Sequence, residues 1–391
     1  MKKHKVLLVH NHYQIPGGED TVVANERKLL EEHGHEVLLY TRHNAELNSM
    51  NLWRKMLLPF CAIFNIRTYR EVKKIIRRES VDIVHVHNTL TLISPSVYYA
   101  AAHCKVPVVQ TIHNFRMLCP GATFYRDGHI CEDCLNKGLG CAIRHGCYRG
   151  SKVQTLACVL NAWIHRTMGI YRRLHYICLT EFNKQKLLQL KQLREDQISI
   201  KPNFVGEAQY FQKQRTNRII FVGRLEKLKG VDLLLEAWKL LGKDAPELLL
   251  CGTGPLEHWC REYIRENNLN VTMKGFVPNT EVRRWIGTSR ALILPTQCYE
   301  GLPMTIVEAF SQGTPVITGD IGNGGAVVED GKTGVKFRYH SAQALAEAVK
   351  RFETLDGNAL QENTLREYEK RYSPEGNYRI LLALYDAVIQ G

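Results

Sequence analysis

Three short segments in the second half of the chain carry residue types that can hold a phosphorylated, sugar-bearing ligand. The first is Phe221-Val-Gly-Arg-Leu-Glu-Lys-Leu-Lys-Gly230, where an apolar run ends in Gly223 and the cations that follow include Arg224 and Lys229. Arginine offers phosphate a planar fork of N–H donors, and lysine adds a movable point charge. Taken alone, this segment reads equally well as a solvated basic loop. The second, Cys251-Gly-Thr-Gly-Pro255, sets Gly252 and Gly254 where backbone can approach a ligand closely. No third glycine falls where the dinucleotide fingerprint needs one, which argues against an NAD-dependent oxidoreductase. The third is Pro295-Thr-Gln-Cys-Tyr-Glu-Gly-Leu-Pro-Met-Thr-Ile-Val-Glu-Ala309. Pro303 suits the first position of a helix, so the turn Gly301, Leu302, Pro303, Met304 offers free N–H groups to an anion. Glu308, about a turn and a half inside that helix, can accept two hydrogen bonds from a ribose diol, and Glu300 can hold sugar hydroxyls. The plain alternative is that both glutamates cap or solvate the helix.

These segments need strands and helices to position them, and the hydrophobic pattern supplies both. In the first half, apolar runs at Lys5–Val9, Glu36–Tyr40, Asp82–Val86, Pro107–Thr111 and Tyr176–Leu179 alternate with helical patterns. One helix is expected over Thr21–His33, ended by Gly34, and another over Arg67–Arg78. The alternation pauses at Lys201-Pro-Asn203 and the polar stretch up to Asn217, where a domain boundary is expected near residue 205. It resumes with strands at Arg218–Val222, Glu247–Cys251, Val271–Met273, Ala291–Leu294 and Pro315–Thr318 and helices at Val231–Leu241 and from Pro303; helical patterns dominate after Ser341. Two α/β domains with parallel sheets are the simplest architecture.

Charge is distributed unevenly. The formal net charge is +13, and residues 1–203 hold 29 Lys+Arg against 16 Asp+Glu, while the remainder holds 23 of each. The whole excess sits in the first half, which suits an acidic partner: nucleic acid, an anionic membrane surface or a phosphorylated substrate. No apolar run reaches the roughly 20 residues that span a bilayer. The opening apolar stretch ends at His10, Asn11 and His12, too soon for a signal peptide, so a cytoplasmic protein is expected.

Read in order, the motifs resemble glycosyltransferase family 4, retaining, nucleotide-sugar-dependent enzymes of the GT-B fold: two Rossmann-like domains facing each other across a cleft. The resemblance covers nearly the whole chain. It includes Gly17-Gly18-Glu19, Asp82-Ile-Val-His-Val-His-Asn88, Thr111-Ile-His-Asn114 and Lys201-Pro-Asn203. It continues through Gly223-Arg224, Lys229-Gly230, Gly252-Thr-Gly-Pro255 and Glu300-Gly-Leu-Pro, with Glu308 completing the family's E-x7-E spacing. The resemblance implies that Arg224 and Lys229 grip the donor diphosphate, Glu308 the ribose and Glu300 the transferred sugar. Gly17 and Gly18 would approach the donor from the first domain, and His113 would lie beside the donor sugar. It implies no catalytic metal, and the sequence lacks an Asp-x-Asp motif. An acceptor-binding domain over 1–205 and a donor-binding domain over 206–374 follow, with the last helix, 375–391, packing back on the first. Of the remaining histidines, His10 and His12 are expected to line the cleft, and at least one of His85 and His87 to be a packing residue.

Five of the twelve cysteines cluster in an insertion at 117–150. Cys131-x-x-Cys134 is a common zinc-knuckle element, and the resemblance to a subgroup of the family implies Cys119, Cys131, Cys134 and Cys147 as ligands of a structural zinc, with Cys141 surplus. Free thiols under a loop are the alternative. The mixed aromatic, aliphatic and basic run Leu52–Ile66 suits an anionic membrane surface or a lipid-linked (polyprenyl-diphosphate) acceptor; a core-packing helix interrupted by Pro59 is the alternative. The expected function is transfer of a hexose-type sugar during assembly of a surface polysaccharide such as O antigen or capsule. A nucleotide-sugar hydrolase or epimerase of the same fold is the near rival. A zinc-containing nucleic-acid binder is the distant one, but the basic residues form no base-stacking platform, so no nucleic acid is expected.

Overall fold

The computed structural model describes residues 3–14, 17–206 and 215–391. The polar stretch at the expected domain boundary runs into 207–214, which lies outside the described residues.

The chain divides into two units. The first comprises residues 1–123, 132–202 and 377–391, and the second 124–131 and 203–376. The 117–150 segment is therefore shared between the units instead of belonging wholly to the first.

The strands before residue 203 are β1 (Lys5–His12), β2 (Glu36–His43), β3 (Ile83–Asn88), β4 (Val108–Ile112), β5 (Tyr125–Arg126), β6 (His129–Ile130), β7 (His175–Cys178) and β8 (Ile198–Ile200). Six of them form a sheet in the order β2-β1-β3-β4-β7-β8, parallel throughout. Val6 to Val9 of β1 are fully buried, as a strand covered on both faces requires. The Gly18–Glu32 helix turns Val22, Val23, Leu29 and Leu30 to this core, and the Ile66–Glu79 helix turns Val72 and Ile76. Within the first unit, the C-terminal helix (Pro374–Gln390) is tied down by polar contacts. His4 meets Asp386 at 2.7 Å, His35 meets the Tyr378 hydroxyl at 2.9 Å, and Asn377 donates to the Pro202 carbonyl at 2.9 Å.

The second unit holds β9 (Thr216–Val222), β10 (Glu247–Cys251), β11 (Val271–Gly275), β12 (Ser289–Leu294), β13 (Val316–Gly319) and β14 (Gly334–Phe337). Their order, β11-β10-β9-β12-β13-β14, is again all parallel. Its core gathers Phe221, Trp238, Leu250, Ile293 and Phe352. The β5–β6 hairpin belongs to this unit, where the Phe124 ring packs edge-on against Tyr299 at 5.8 Å. In each sheet the strand order reverses once, between β1 and β3 and between β9 and β12. Open α/β sheets bind ligands beyond the carboxyl ends of the strands at such a switch point.

Candidate active site

In the second unit, the turn after β9 and the turn after β10 pack backbone against backbone. The Gly223 N–H donates to the Cys251 carbonyl and the Leu225 N–H to the Thr253 carbonyl, each at 3.0 Å. A Cβ on Gly252 would sit 1.9 Å from the Gly223 carbonyl oxygen, and one on Gly254 2.4 Å from that of Leu225. These glycines are thus required by the neighbouring turn itself. Gly230 does the same on the other side. Its φ is +71°, and a Cβ there would lie 2.0 Å from the Pro295 carbonyl oxygen. The Gln297 N–H then reaches the Leu228 carbonyl at 2.9 Å.

This docking of the 224–230 loop on the loop after β12 brings two sequence-predicted residues together. Lys229 Nζ lies 2.6 Å from Glu300 Oε2. Burial opposes the Lys229 charge, but the Glu300 carboxylate outweighs it and holds the ammonium above its ordinary range. The other Glu300 oxygen, Oε1, is buried without a hydrogen-bond partner. Arg224 is mostly exposed, and its Nε lies 3.6 Å from Glu226.

The following helix is Met304–Ser311, and Pro303 stands one residue before it as the N-cap, with ψ 116°. It is not the first helical residue that the sequence suggests, because its ψ is extended. The N-terminal amides nevertheless begin at the expected turn, which the Asn323 side chain braces by donating to the carbonyls of Glu300 and Gly301. Glu308 is buried and accepts a hydrogen bond from Asn279 at 3.1 Å. Burial raises its carboxyl despite that bond and the nearby Arg283. Asn279 and Arg283 escape sequence reasoning because they come from another helix, with no motif of their own.

In the first unit, β1 ends in His10, Asn11 and His12. Asp20 Oδ1 accepts from His10 Nε2 at 3.0 Å and His12 Nδ1 at 2.7 Å, and Oδ2 from the Gly17 N–H at 2.8 Å. Burial would raise the Asp20 carboxyl, but these bonds win and pull it down to about 2. They also fix the Gly17-Gly18 turn. Gly18 opens the helix, and a Cβ on Gly17 would meet nothing within 4 Å. Glu19 bridges two loops, accepting from Tyr13 at 2.8 Å and Asn114 at 2.9 Å. Glu19 and Asn114 each adjoin a predicted residue, and that adjacency was the available signal.

His113 follows β4 and is buried. It lines a cavity of about 460 Å³ within the first unit, together with Asn88 and Arg116. Leu58, Pro59 and Ala62 of the Leu52–Ile63 helix and Ala157 of the Lys152–Thr167 helix form its apolar wall. The first of these helices runs on through Pro59 and does not pack its outer face into a core: Trp53 is 74% exposed and Phe60 71%. Its end is held by the second, where Asn161 and His165 donate to the carbonyls of Ala62 and Ile63. No helix among the described residues is long and apolar enough to cross a membrane.

None of the twelve cysteines, all of them among the described residues, is in a disulfide. Cys119 and Cys147 flank Gly121, whose Cβ would lie 3.7 Å from the Cys119 sulfur and 3.8 Å from the Cys147 Cβ. Among the described residues, the groups of three or more ligand atoms close enough to share one ion are His10, His12, Asp20 and Glu26, His85, His87. No three of the cysteines form such a group among the described residues.

Known proteins resemble this chain in sequence and in fold. The model for glycosyltransferase family 4 matches residues 16–209, and that for glycosyl transferases group 1 matches residues 207–372. A glycosyltransferase from Rickettsia africae superposes over 100% of both chains with a TM-score of 0.70 at 18% identity. The lipopolysaccharide outer core galactosyltransferase WaaB superposes over 97% of this chain and 99% of its own, with a TM-score of 0.65 at 16% identity. The chain belongs to the family 4 glycosyltransferases and has their GT-B fold. Among curated relatives, a 41.2 kDa protein of the cps region of Klebsiella pneumoniae is 24% identical over 71% of this chain and 70% of its own length. A protein described as a colanic acid biosynthesis glycosyltransferase, WcaL, of Salmonella typhimurium is 30% identical over 39% of this chain, but that match spans only 40% of the relative.

Proposed function

We propose that the protein transfers a hexose-type sugar, with retention, from a nucleotide-sugar donor to a glycan or lipid-linked acceptor during assembly of a surface polysaccharide. The observation that carries this reading is the Lys229–Glu300 pair beside the amides that open the 304–311 helix, with Glu308 buried inside it. A leaving nucleoside diphosphate needs its developing charge met by groups already in place. Arg224, Lys229 and the helix amides supply them without a metal, so Mg²⁺ is not required. The unpartnered Glu300 oxygen is costly to bury, and a sugar hydroxyl would satisfy it. Glu308 takes the ribose diol. A solved relative, HepE of Anabaena, was crystallised in complex with UDP, which supports the ligand class.

The test is a thermal-shift screen against UDP-, GDP-, ADP- and dTDP-sugars, with and without Mg²⁺. One nucleotide class is expected to stabilise the protein by about 2.7 kcal/mol at a hundredfold over its dissociation constant, and Glu308→Ala to abolish that shift. No shift from any donor, in folded protein, would sink the reading.

The acceptor side of the proposal rests on the first unit. Its apolar cavity has His113, Arg116 and Arg149 in the wall, which suits a lipid diphosphate. The exposed Leu52, Trp53, Met56 and Phe60 beside it suit the interface of an anionic inner membrane leaflet. Trp53→Glu with Phe60→Glu is expected to weaken cosedimentation with phosphatidylglycerol vesicles at least about tenfold, since two exposed aromatics that would enter the lipid interface are exchanged for two charges of the same sign as the lipid. Unchanged binding would remove the membrane role. Zinc in the 119–147 segment belongs to the same proposal, with Cys119, Cys131, Cys134 and Cys147 as its thiolates and a purely structural effect. Metal analysis of the purified protein decides it.

A further inference from the structure

Glu26 lies on the inward face of the Gly18–Glu32 helix, fully shielded from solvent. Three groups from distant parts of the first unit converge on its carboxylate. Lys201 Nζ is 2.9 Å from Oε2, while His85 Nδ1 and His87 Nε2 are 2.9 Å and 3.3 Å from Oε1. None meets the carboxylate along an ideal hydrogen-bond direction, so the attraction is mainly that of charge for charge and for ring dipole. The chain of contacts then continues from His87 Nδ1 to His113 Nε2 at 3.0 Å. The Lys201 ammonium balances the charge of the carboxylate.

Proton positions along this chain follow from the anion at its end. A carboxylate only accepts, so the His87 nitrogen that faces it carries the ring proton. Burial, then the neighbouring His85, lowers the His87 pKa to about 4, and burial with His87 and His10 lowers that of His113 well below its usual range. Both rings are therefore neutral near pH 7, with one proton each. With the Nε2–H turned toward the Glu26 anion at 3.3 Å, His87 presents a lone pair at Nδ1. Nε2 of His113 must then be the donor between the two rings, and Nδ1 of His113 is left as a lone pair.

We infer that Glu26 is a positioning residue: acting through His87, it fixes His113 as the Nε2–H tautomer, so that Nδ1 serves as a hydrogen-bond acceptor for a hydroxyl bound in the cavity that His113 lines. The inference rests on the transferase reading only for the identity of that hydroxyl, which would belong to a sugar substrate.

Long-range ¹H–¹⁵N correlation spectra of the full chain labelled at histidine test this directly, with His87→Gln and His113→Gln used for assignment. The wild type is expected to show His87 and His113 protonated at Nε2 near pH 7. In Glu26→Gln, Lys201 draws the amide oxygen to itself, so the amide N–H₂ turns to the histidines and both rings move to Nδ1–H. The kcat for sugar transfer should then fall about tenfold, the net worth of one hydrogen bond. Protonation of His113 at Nδ1 in the wild type overturns the inference, and that spectrum needs no variant. So does an unchanged tautomer in folded Glu26→Gln. The spectra are independent of activity, so an inactive protein with the expected tautomers would count against the transferase reading alone.

Discussion

Replacing Lys229 with alanine is expected to lower kcat for sugar transfer about 100- to 1000-fold, the range found when one preorganised charge-stabilising group is removed from an active site. The ammonium is held charged by Glu300 at 2.6 Å and fixed by a loop that Gly230 allows to lie against Pro295. On the proposed reading it would meet the departing diphosphate without reorganising, so its loss should fall on kcat more than on donor binding. Alanine also leaves the partly buried Glu300 carboxylate without its cation, next to the unpartnered oxygen it already carries. The effects of Lys229→Ala and Glu300→Gln should accordingly be far from additive, the double variant being little worse than the poorer single one. Steady-state kinetics with the donor identified by thermal shift provide the check. A fall in kcat below about tenfold, or simple additivity, would mean that Lys229 acts on the leaving group from outside the reacting geometry.

How far such a site can be read from sequence depends on whether its parts are local. The strand-turn-helix units are local, and so the expected strands at Lys5–Val9, Glu247–Cys251 and Ala291–Leu294 fall within β1, β10 and β12. Elements too short to show a period were missed, such as β14, whose four residues begin with a glycine that lies against the Val316 carbonyl. The Lys229–Glu300 pair joins two motifs that were each visible, but its 2.6 Å contact depends on Gly230 having a positive φ. Glu26 was invisible for a different reason. On a helix its carboxylate reads as an ordinary surface charge, and its counterion Lys201 lies far along the chain, in a motif that looked like a domain boundary. His85 and His87 stood out as buried, yet nothing in their alternation pointed to a common anion.

Glu26→Ala is expected to cost about 3–5 kcal/mol, because it leaves the Lys201 ammonium uncompensated in a dry interior. For a unit of this size that lowers the thermal midpoint by about 6–20 °C. Both side chains of the pair are 1% exposed or less, so water cannot take over the role of the lost partner. The pairing itself is a poor source of stability, since desolvating two ions offsets most of their attraction. Glu26→Leu combined with Lys201→Met should therefore recover most of the loss, which differential scanning calorimetry of the three variants would show. A single variant that costs less than about 1 kcal/mol, or a double variant no better than the single, would mean the ions are solvated and the network is loose. Recovery of stability without recovery of turnover is the informative combination. The double variant would have a sound core but no anion facing His87, and the ring at 113 would be free to take either proton position. That result would separate what the buried charge does for the fold, which is little, from what it does for the site.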